Sequence, residues 1–162
     1  MRDADFERLY DEQSQPLLAF LVYRTGDRGL AEDLLADTFE RALRARARFD
    51  RRRGSEKTWL YSIALNLLRD HARRQGAESR ALEATAAGHS EAAGPGGLEG
   101  VERRDDLQRA LAVLSEEECE AVALRFGADL SAPEIARVTR QRLTTVEGRV
   151  FRALRKMRDA LE

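Results

Sequence analysis

Residues 131–158, SAPEIARVTRQRLTTVEGRVFRALRKMR, contain the pattern that decides the fold of the second half of the chain. Ser131 with Glu134 three residues later predicts a capping box, in which each side chain bonds the other residue's backbone N–H at a helix start. The segment after a short turn carries apolar side chains at helical spacing, which predicts a longer helix. Those side chains are Val146, Val150, Leu154 and Met157. A short helix, a turn and a longer helix indicate a helix-turn-helix, whose second helix enters the major groove of DNA.

Two segments of the chain are strongly basic. Residues 137–158 carry eight basic side chains and one acidic side chain, Glu147, while residues 38–74 carry 11 basic and four acidic ones, so each has a net charge of +7. Electrostatic fields decay over about 8 Å at physiological salt, so each block can bind phosphate although the whole chain carries only −1. One block alone would equally suit a solvated Arg-rich surface, but two blocks on two helical units favour DNA or RNA.

The first 74 residues also show helical periodicity. Pro16 lies within the first apolar pattern, and we expect it to bend or split that helix. A long helix is predicted from about Leu30, followed by a loop at residues 49–55, FDRRRGS, that ends at a cap, Ser55. In the next helix, the spacing of Trp59 with Ile63 favours a core anchor over a base-stacking residue.

Residues 75–101 are rich in Gly, Ala, Ser and Glu, which predicts a flexible linker. The commonest residues of the chain are strong helix formers, and there is no alternating run of Val, Ile and Thr. We therefore predict an all-α protein of two small helical domains, residues 1–74 and 102–162, joined by this linker.

The sequence gives little support for a catalytic site or a metal site. Cys119 lies between two glutamates and is expected to be a partly buried small side chain. Glu32, Asp33 and Asp37 could hold a hard cation, but they have no further ligands, so a solvated or partner-facing patch is favoured. We expect no catalytic site, no metal and no cofactor. With neither a secretion signal nor an apolar membrane span in the sequence, a cytoplasmic protein without membrane contact is predicted.

Several of these motifs resemble bacterial sigma factors of the sigma-70 family, specifically the extracytoplasmic-function (ECF) type. The similarity covers nearly the whole chain, and its motifs as a set are more specific than a helix-turn-helix alone. The motifs are AEDL at 31–34 with 37–39, FDRRRGS at 49–55, WLYSIALN at 59–66, LAVLSEEECEAVALRF at 111–126, EIARV at 134–138, and Thr145-Val146 with Arg149, Arg152 and Ala153.

The resemblance implies a transcription-initiation factor whose partners are core RNA polymerase, promoter DNA and an anti-sigma factor. It assigns polymerase binding to Ala31, Glu32, Asp33, Leu34, Asp37 and Phe39. It assigns contacts with the −10 promoter element to Arg48, Arg51, Arg52, Arg53, Lys57, Asn66, Asp70 and Arg73. It assigns contacts with the −35 element to Arg140, Arg142, Thr144, Thr145, Arg149 and Arg152.

Physical chemistry agrees with the proposed −10 role. A protein can hold the bases of melted DNA by stacking and by pockets beside a basic groove. The loop at 49–55 is short enough to shape such a pocket. Asn66 can pair with a base edge, although a plain helix-surface amide is the alternative.

Residues 139–142, TRQR, depart from the Leu-Gly-Ile-Ser usual in the family. Arg140 replaces a turn glycine that commonly takes a left-handed conformation, at a cost of about 1 kcal/mol. One hypothesis is that the recognition helix starts about two residues late, with Thr144 and Glu147 as a replacement cap. The alternative, slightly favoured, is ordinary divergence with the same fold and a different −35 sequence.

Two rival functions remain open at this point. A stand-alone helix-turn-helix regulator would bind operators as a dimer, but this leaves AEDL and WLYSIALN unexplained. A sigma-like interaction module would bind polymerase or an anti-sigma factor without DNA, and the unusual residues 139–142 are its best support.

Overall fold

A computed structural model describes residues 1–79 and 98–162 of the chain, which divides into two compact units, Met1–Ser90 and Glu91–Glu162. Within the described ranges every regular element is a helix, so the all-α prediction is confirmed. No helix in those ranges is long and apolar enough to cross a bilayer.

Three helices build the first unit: α1 (Asp3–Thr25), α2 (Arg28–Ala45) and α3 (Glu56–Ser79). Short 3₁₀ turns at Arg46–Arg48 and Arg51–Arg53 connect α2 with α3. The helices pack on one another because each turns an apolar stripe inward. The largest fully buried side chains of this core are Leu17, Leu21, Leu60, Tyr61 and Leu65.

Pro16 does not split α1, which runs without a break through that position. Proline removes one backbone donor, but the exposed ring leaves the buried side of the helix intact. Gly26 ends α1 with a left-handed φ of 68°, and Asp27 then caps α2 by accepting a hydrogen bond from the Leu30 N–H at 3.2 Å. The helix therefore starts at Arg28, two residues before the predicted start.

The second unit contains α4 (Leu98–Ala112), α5 (Glu116–Val122), a π turn (Ala123–Gly127), α6 (Ala132–Thr139) and α7 (Leu143–Leu161). The predicted capping box of α6 is confirmed: the Ser131 N–H donates to Glu134 at 2.9 Å, and the Glu134 N–H donates to the Ser131 hydroxyl at 3.3 Å. The core of the second unit is built around Leu124, Leu130, Ile135, Val146 and Ala153.

The inner face of α7 differs from the sequence prediction at one position. The apolar stripe of the sequence includes Leu154 and would turn it towards the core, but Leu154 is 42% exposed, and Ala153 is fully buried. An α-helix turns about 100° per residue, so the seventh residue after Val146, Ala153, returns to the same side. The small alanine lets α7 pack closely.

The turn before α7 is regular, so the prediction of a delayed helix start is wrong. Arg142 is the N-cap residue, without a side-chain cap, and its carbonyl accepts the first helical bond from Val146 at 3.1 Å. A capping side chain contributes about 1 kcal/mol, whereas burial of Val146 fixes the register of the whole helix. As predicted, Arg140 takes the left-handed conformation, with φ 55° and ψ 41°.

The ends of the predicted linker are helical. Helix α3 continues past residue 74 to Ser79, and α4 already begins at Leu98. Residues 80–97, which make up most of the predicted linker, lie outside the described residues.

Cys119 is half-buried, and its thiol lies 3.7 Å from the Leu111 carbonyl oxygen. This agrees with the prediction of a small, partly buried side chain. In residues 1–79 and 98–162, no group of three His, Cys, Asp or Glu side chains gathers as a metal site would require.

Candidate nucleic-acid interface

The residues assigned to polymerase binding divide into two sets on α2. Ala31, Leu34 and Phe39 are at most 6% exposed and belong to the core of the first unit. Glu32, Asp33 and Asp37 are exposed on the opposite side of the helix. The apolar set therefore fixes the position of α2, and only the acidic set is available to a partner.

The acidic set carries free negative charge. Glu32 pairs with Arg28 at 3.1 Å, an exposed contact one helical turn away. Asp33 and Asp37 form no ion pair with any other described residue. The outer face of α2 therefore offers a partner two uncompensated carboxylates.

The loop at 49–55 is held in shape at both ends. Asp50 accepts a hydrogen bond from the Arg52 N–H at 3.0 Å, and Ser55, as predicted, caps α3 by accepting one from the Thr58 N–H at 3.1 Å. The Phe49 ring packs against half-buried Trp59 with ring centroids 5.2 Å apart. Trp59 therefore packs against the loop, but it is only half-buried and does not belong to the buried core, where its spacing had placed it.

A network of ion pairs joins this loop to the start of α1. Arg51 lies 3.3 Å from Glu56 and 3.9 Å from Asp5, while Arg8 lies 3.2 Å from Asp5 and 3.7 Å from Glu56. The pKa of the Asp5 carboxyl is lowered, mainly by a hydrogen bond from the Arg2 backbone N–H and also by the nearby guanidinium groups. Arg51 takes part in this network although it is 72% exposed, and Arg48 and Arg52 are exposed beside it.

A groove of about 440 Å³ lies between α1 and this loop. Phe49 and Lys57 line one part of it, and Leu9 and Gln13 of α1 line another. The Gln13 side-chain oxygen is buried and has no hydrogen-bond partner. The groove is open to solvent, and its lining combines an aromatic ring, cations and an amide with the carboxylates of Glu12 and Glu56.

The sequence prediction missed the contribution of α1 to this groove. Gln13 is a polar residue on an amphipathic helix, and such residues usually face solvent. Its place in the groove arises only from the packing of α1 against the loop.

Asn66, Asp70 and Arg73 lie further along α3 than the groove. Their spacing places them on one stripe of the helix. Asn66 is exposed, and Asp70 pairs with Arg73. The predicted −10 residues thus form two neighbouring groups, one at the loop and one on α3.

In the second unit, Arg149 is turned away from the expected DNA surface. Its side chain is 16% exposed, and its guanidinium lies 3.3 Å from Glu117 and donates to the Gln141 side chain at 2.7 Å. Arg149 thus links α5 to the turn before α7. These contacts help to hold α7 in place.

The other residues assigned to the −35 element are exposed on α7 and in the turn before it. Arg140 and Arg142 in the turn, and Thr144 and Thr145 in the first turn of the helix, are exposed. The exposed Arg152 folds back over Gly148, where a Cβ atom would lie 3.1 Å from its Nη1. A basic helix with a polar first turn is the geometry of major-groove recognition.

Phe151 is a further candidate that the sequence analysis did not include. Its ring is 66% exposed on the outward face of α7. Apolar side chains at such positions can contact a thymine methyl group. Helical periodicity alone could have placed it there, because it lies about 140° around the helix from Val146.

Fold and surfaces together define an all-helical protein of the DNA-binding helix-turn-helix class. Two protein families match the chain. Sigma-70 region 2 matches residues 9–78, and Sigma-70, region 4 matches residues 104–157.

Curated relatives and solved structures agree with the family matches. ECF RNA polymerase sigma factor SigC of Mycobacterium tuberculosis is 33% identical over 147 residues, which are 91% of this chain and 76% of the relative. ECF RNA polymerase sigma factor BldN of Streptomyces coelicolor is 32% identical over 94% of this chain, which spans only 58% of that relative's length. The sigma factor RpoE, solved in complex with the anti-sigma factor NepR from Bartonella quintana, is similar with a TM-score of 0.77 and 25% identity, over 97% of this chain and 96% of that one. The chain belongs to the ECF group of the sigma-70 family.

Proposed function

We propose that this protein directs core RNA polymerase to specific promoters and helps to melt their −10 element, as a specificity factor without catalysis of its own. One observation carries the proposal: the two segments of net charge +7 lie on the two units that match region 2 and region 4. A sigma factor contacts promoter DNA through two regions. Each of the two matching units of this chain carries its own basic segment.

The first unit binds core polymerase and opens the −10 element. Asp33 and Asp37, with Glu32, supply an acidic face for the polymerase, and their exposure supports this role. Arg48 and Arg52 bind phosphates beside the groove, which accepts an unstacked base.

The second unit binds the −35 element as a duplex. Helix α7 enters the major groove, with Arg140 and Arg142 on the phosphates. Regular packing of α7 favours ordinary divergence of the turn residues over a loosened turn. The preferred −35 sequence then differs from that of other family members, because the turn and the first helical turn carry different side chains.

We propose residues 75–101 as the connection between the two domains, 1–74 and 102–162, with α3 reaching a few residues into it. The protein acts in the cytoplasm with core polymerase. An anti-sigma factor is a further proposed partner, supported by the complex of the similar RpoE with NepR.

The rival functions explain less of the molecule. A stand-alone regulator has no use for the segment that matches region 2, residues 9–78. A module that has lost DNA binding would need a damaged recognition helix, yet α7 is regular from Leu143 onward and turns a basic face outward.

The test is transcription from a genomic promoter library by core polymerase, with and without the protein. We expect new start sites that appear only with the protein and share a −10 and a −35 motif. Absence of new start sites under every condition, with a known sigma factor active in parallel, would overturn the proposal.

A further inference from the structure

Glu147 stands where the recognition helix faces DNA. Helix α7 turns about 100° per residue, so the half of the helix away from buried Val146 and Ala153 includes Glu147. Its side chain is exposed, and it lies within the first two turns of the helix. In helix-turn-helix proteins, the residues of these turns contact base edges.

The carboxylate of Glu147 is isolated within a basic surface. It is the single acidic side chain of residues 137–158, and it forms no ion pair or hydrogen bond with any other residue that the structure describes. The nearest basic residues along the helix are turned elsewhere: Arg149 contacts Glu117, and Arg152 lies over Gly148. Inside the major groove of DNA, a carboxylate without a partner is repelled by the phosphates. It therefore needs a hydrogen-bond donor from the DNA.

Base chemistry identifies that donor. In the major groove, guanine and thymine present acceptors, whereas cytosine presents its N4 amino group and adenine its N6 amino group. Adenine places the acceptor N7 beside N6, and N7 repels a carboxylate, which has no proton to donate. Cytosine has a C–H group beside N4, so it offers a donor without a competing acceptor on the same base.

We propose that Glu147 is a specificity-determining residue that selects a cytosine in the −35 element by accepting a hydrogen bond from its N4 amino group. This inference rests on the proposed function and adds the base that one residue selects. Guanine and thymine are excluded at that position because their groove acceptors face the carboxylate.

Binding to a randomised −35 library tests the inference. Holoenzyme is assembled from core polymerase and the full chain, and it is bound to duplex promoters that carry the −10 motif found in the genomic experiment. Sequencing of the bound templates gives the base preference at each −35 position for the unmodified chain and for Glu147→Gln.

The unmodified chain is expected to prefer cytosine at one position, by roughly 5- to 150-fold over guanine and thymine. Glu147→Gln should move that preference to adenine, because an amide accepts from N6 and donates to N7. All other positions should keep their preferences. Asp159→Asn, which removes the same charge from the last turns of α7, should leave the motif unchanged.

Two results would contradict the inference in different ways. If Glu147→Gln raises binding to every −35 sequence by the same factor and changes no base preference, Glu147 acts only through its charge, and the inference fails while the proposed function stands. If the unmodified chain yields no initiation from any template, the proposed function fails and the inference with it. An unchanged thermal unfolding midpoint for Glu147→Gln shows that a changed motif does not come from a damaged fold.

Discussion

Arg140 has a backbone conformation that is unfavourable for a residue with a Cβ atom. It ends α6 with φ 55° and ψ 41°, a conformation in which the Cβ atom of an L-residue crowds the carbonyl oxygen. The turn keeps this shape because the N–H of the next residue, Gln141, donates to the Ala136 carbonyl at 3.0 Å. The closing hydrogen bond and the packing of the two helices outweigh the local strain.

Replacing Arg140 by glycine should therefore stabilise the second unit. We expect the free energy of unfolding to rise by about 1 kcal/mol, because glycine adopts positive φ without the steric cost. Urea unfolding of Arg140→Gly measures this change. Arg140→Ala is the matched control, since it removes the same charge but keeps the Cβ atom; an equal gain in both variants would show that charge, and not the backbone, is the cause.

Glu118 is a buried carboxylate of the second unit. It is 8% exposed, accepts a hydrogen bond from the Lys156 ammonium at 2.7 Å, and joins α5 to α7. The Lys156 ammonium holds the pKa of the Glu118 carboxyl below its ordinary value of 4.5, and the Ser115 hydroxyl and backbone N–H lower it further. The charged form of Glu118 is thus the form that the fold stabilises.

This lowered pKa makes stability depend on pH in the acid range. The contribution of Glu118 is fully present above about pH 4.5, the unfolded value, and is lost as the pH falls through the lower value of the folded state. Glu118→Gln should lower the free energy of unfolding by about 1–2 kcal/mol near neutral pH and make the acid loss shallower.

Urea unfolding between about pH 7 and about pH 3 measures both effects. Asp105→Asn, at an exposed position of α4, is the control and should keep the acid dependence of the unmodified chain. A Glu118→Gln protein with the same acid dependence as the unmodified chain would contradict the assignment.

At the scale of the element, α2 has a buried apolar side and an exposed acidic side. Its buried side packs against both α1 and α3, and Phe39 meets the Tyr10 ring edge-on at 4.8 Å. Its exposed side carries Asp33 and Asp37, which form no ion pair with residues 1–79 or 98–162. Because core contacts fix this helix, they also fix the backbone positions of the two carboxylates that we propose for polymerase binding.

Charge reversal at Asp33 should therefore weaken core polymerase binding without unfolding the first unit. We expect Asp33→Arg to reduce retention of the protein on immobilised core polymerase by at least about tenfold, as loss and reversal of an interface charge can cost several kcal/mol. Asp11 is an exposed carboxylate on α1, and Asp11→Arg is the matched control. Equal retention of Asp33→Arg and the unmodified chain would remove α2 from the polymerase interface.

At the scale of the whole molecule, the distribution of charge matters more than its sum. A net charge of −1 conceals two segments of +7 separated by acidic ones. Acidic residues pair with some of these cations, as in Asp5–Arg51, Glu117–Arg149 and Glu118–Lys156. The other basic side chains of each segment can attract phosphates, because screening limits opposing fields to about 8 Å. Promoter binding is therefore expected to depend on salt as strongly as for a basic protein.

The salt dependence gives a count of phosphate contacts. Replacing both Arg140 and Arg142 by glutamine should reduce the slope of log affinity against log salt by up to about 1.8, since each lost phosphate contact contributes about 0.9. Affinity should fall by a similar factor for every −35 sequence, because phosphates carry no base identity. Titration of holoenzyme with labelled promoter at several salt concentrations measures the slope; Arg103→Gln, exposed on α4, should leave it unchanged.

Most of the secondary structure could be predicted from the sequence because its causes are local. The capping box at Ser131, the cap at Ser55 and the left-handed Arg140 each depend on residues within a few positions of one another. Local rules were not sufficient at two places. Pro16 lies within a helix that it does not split, and α7 starts without a side-chain cap. In both places tertiary burial outweighs about 1–3 kcal/mol of local preference.

The amino-acid sequence by itself determined the helical class, the two basic segments and the resemblance that led to the family, because composition, spacing and charge are properties of the chain alone. Only the tertiary structure decided which of these side chains remain available. Packing buries Ala31, Leu34 and Phe39 and turns Arg149 towards Glu117, and it leaves Glu147 exposed. The physical reason is that exposure and pairing depend on residues distant in sequence, which meet only when the helices pack.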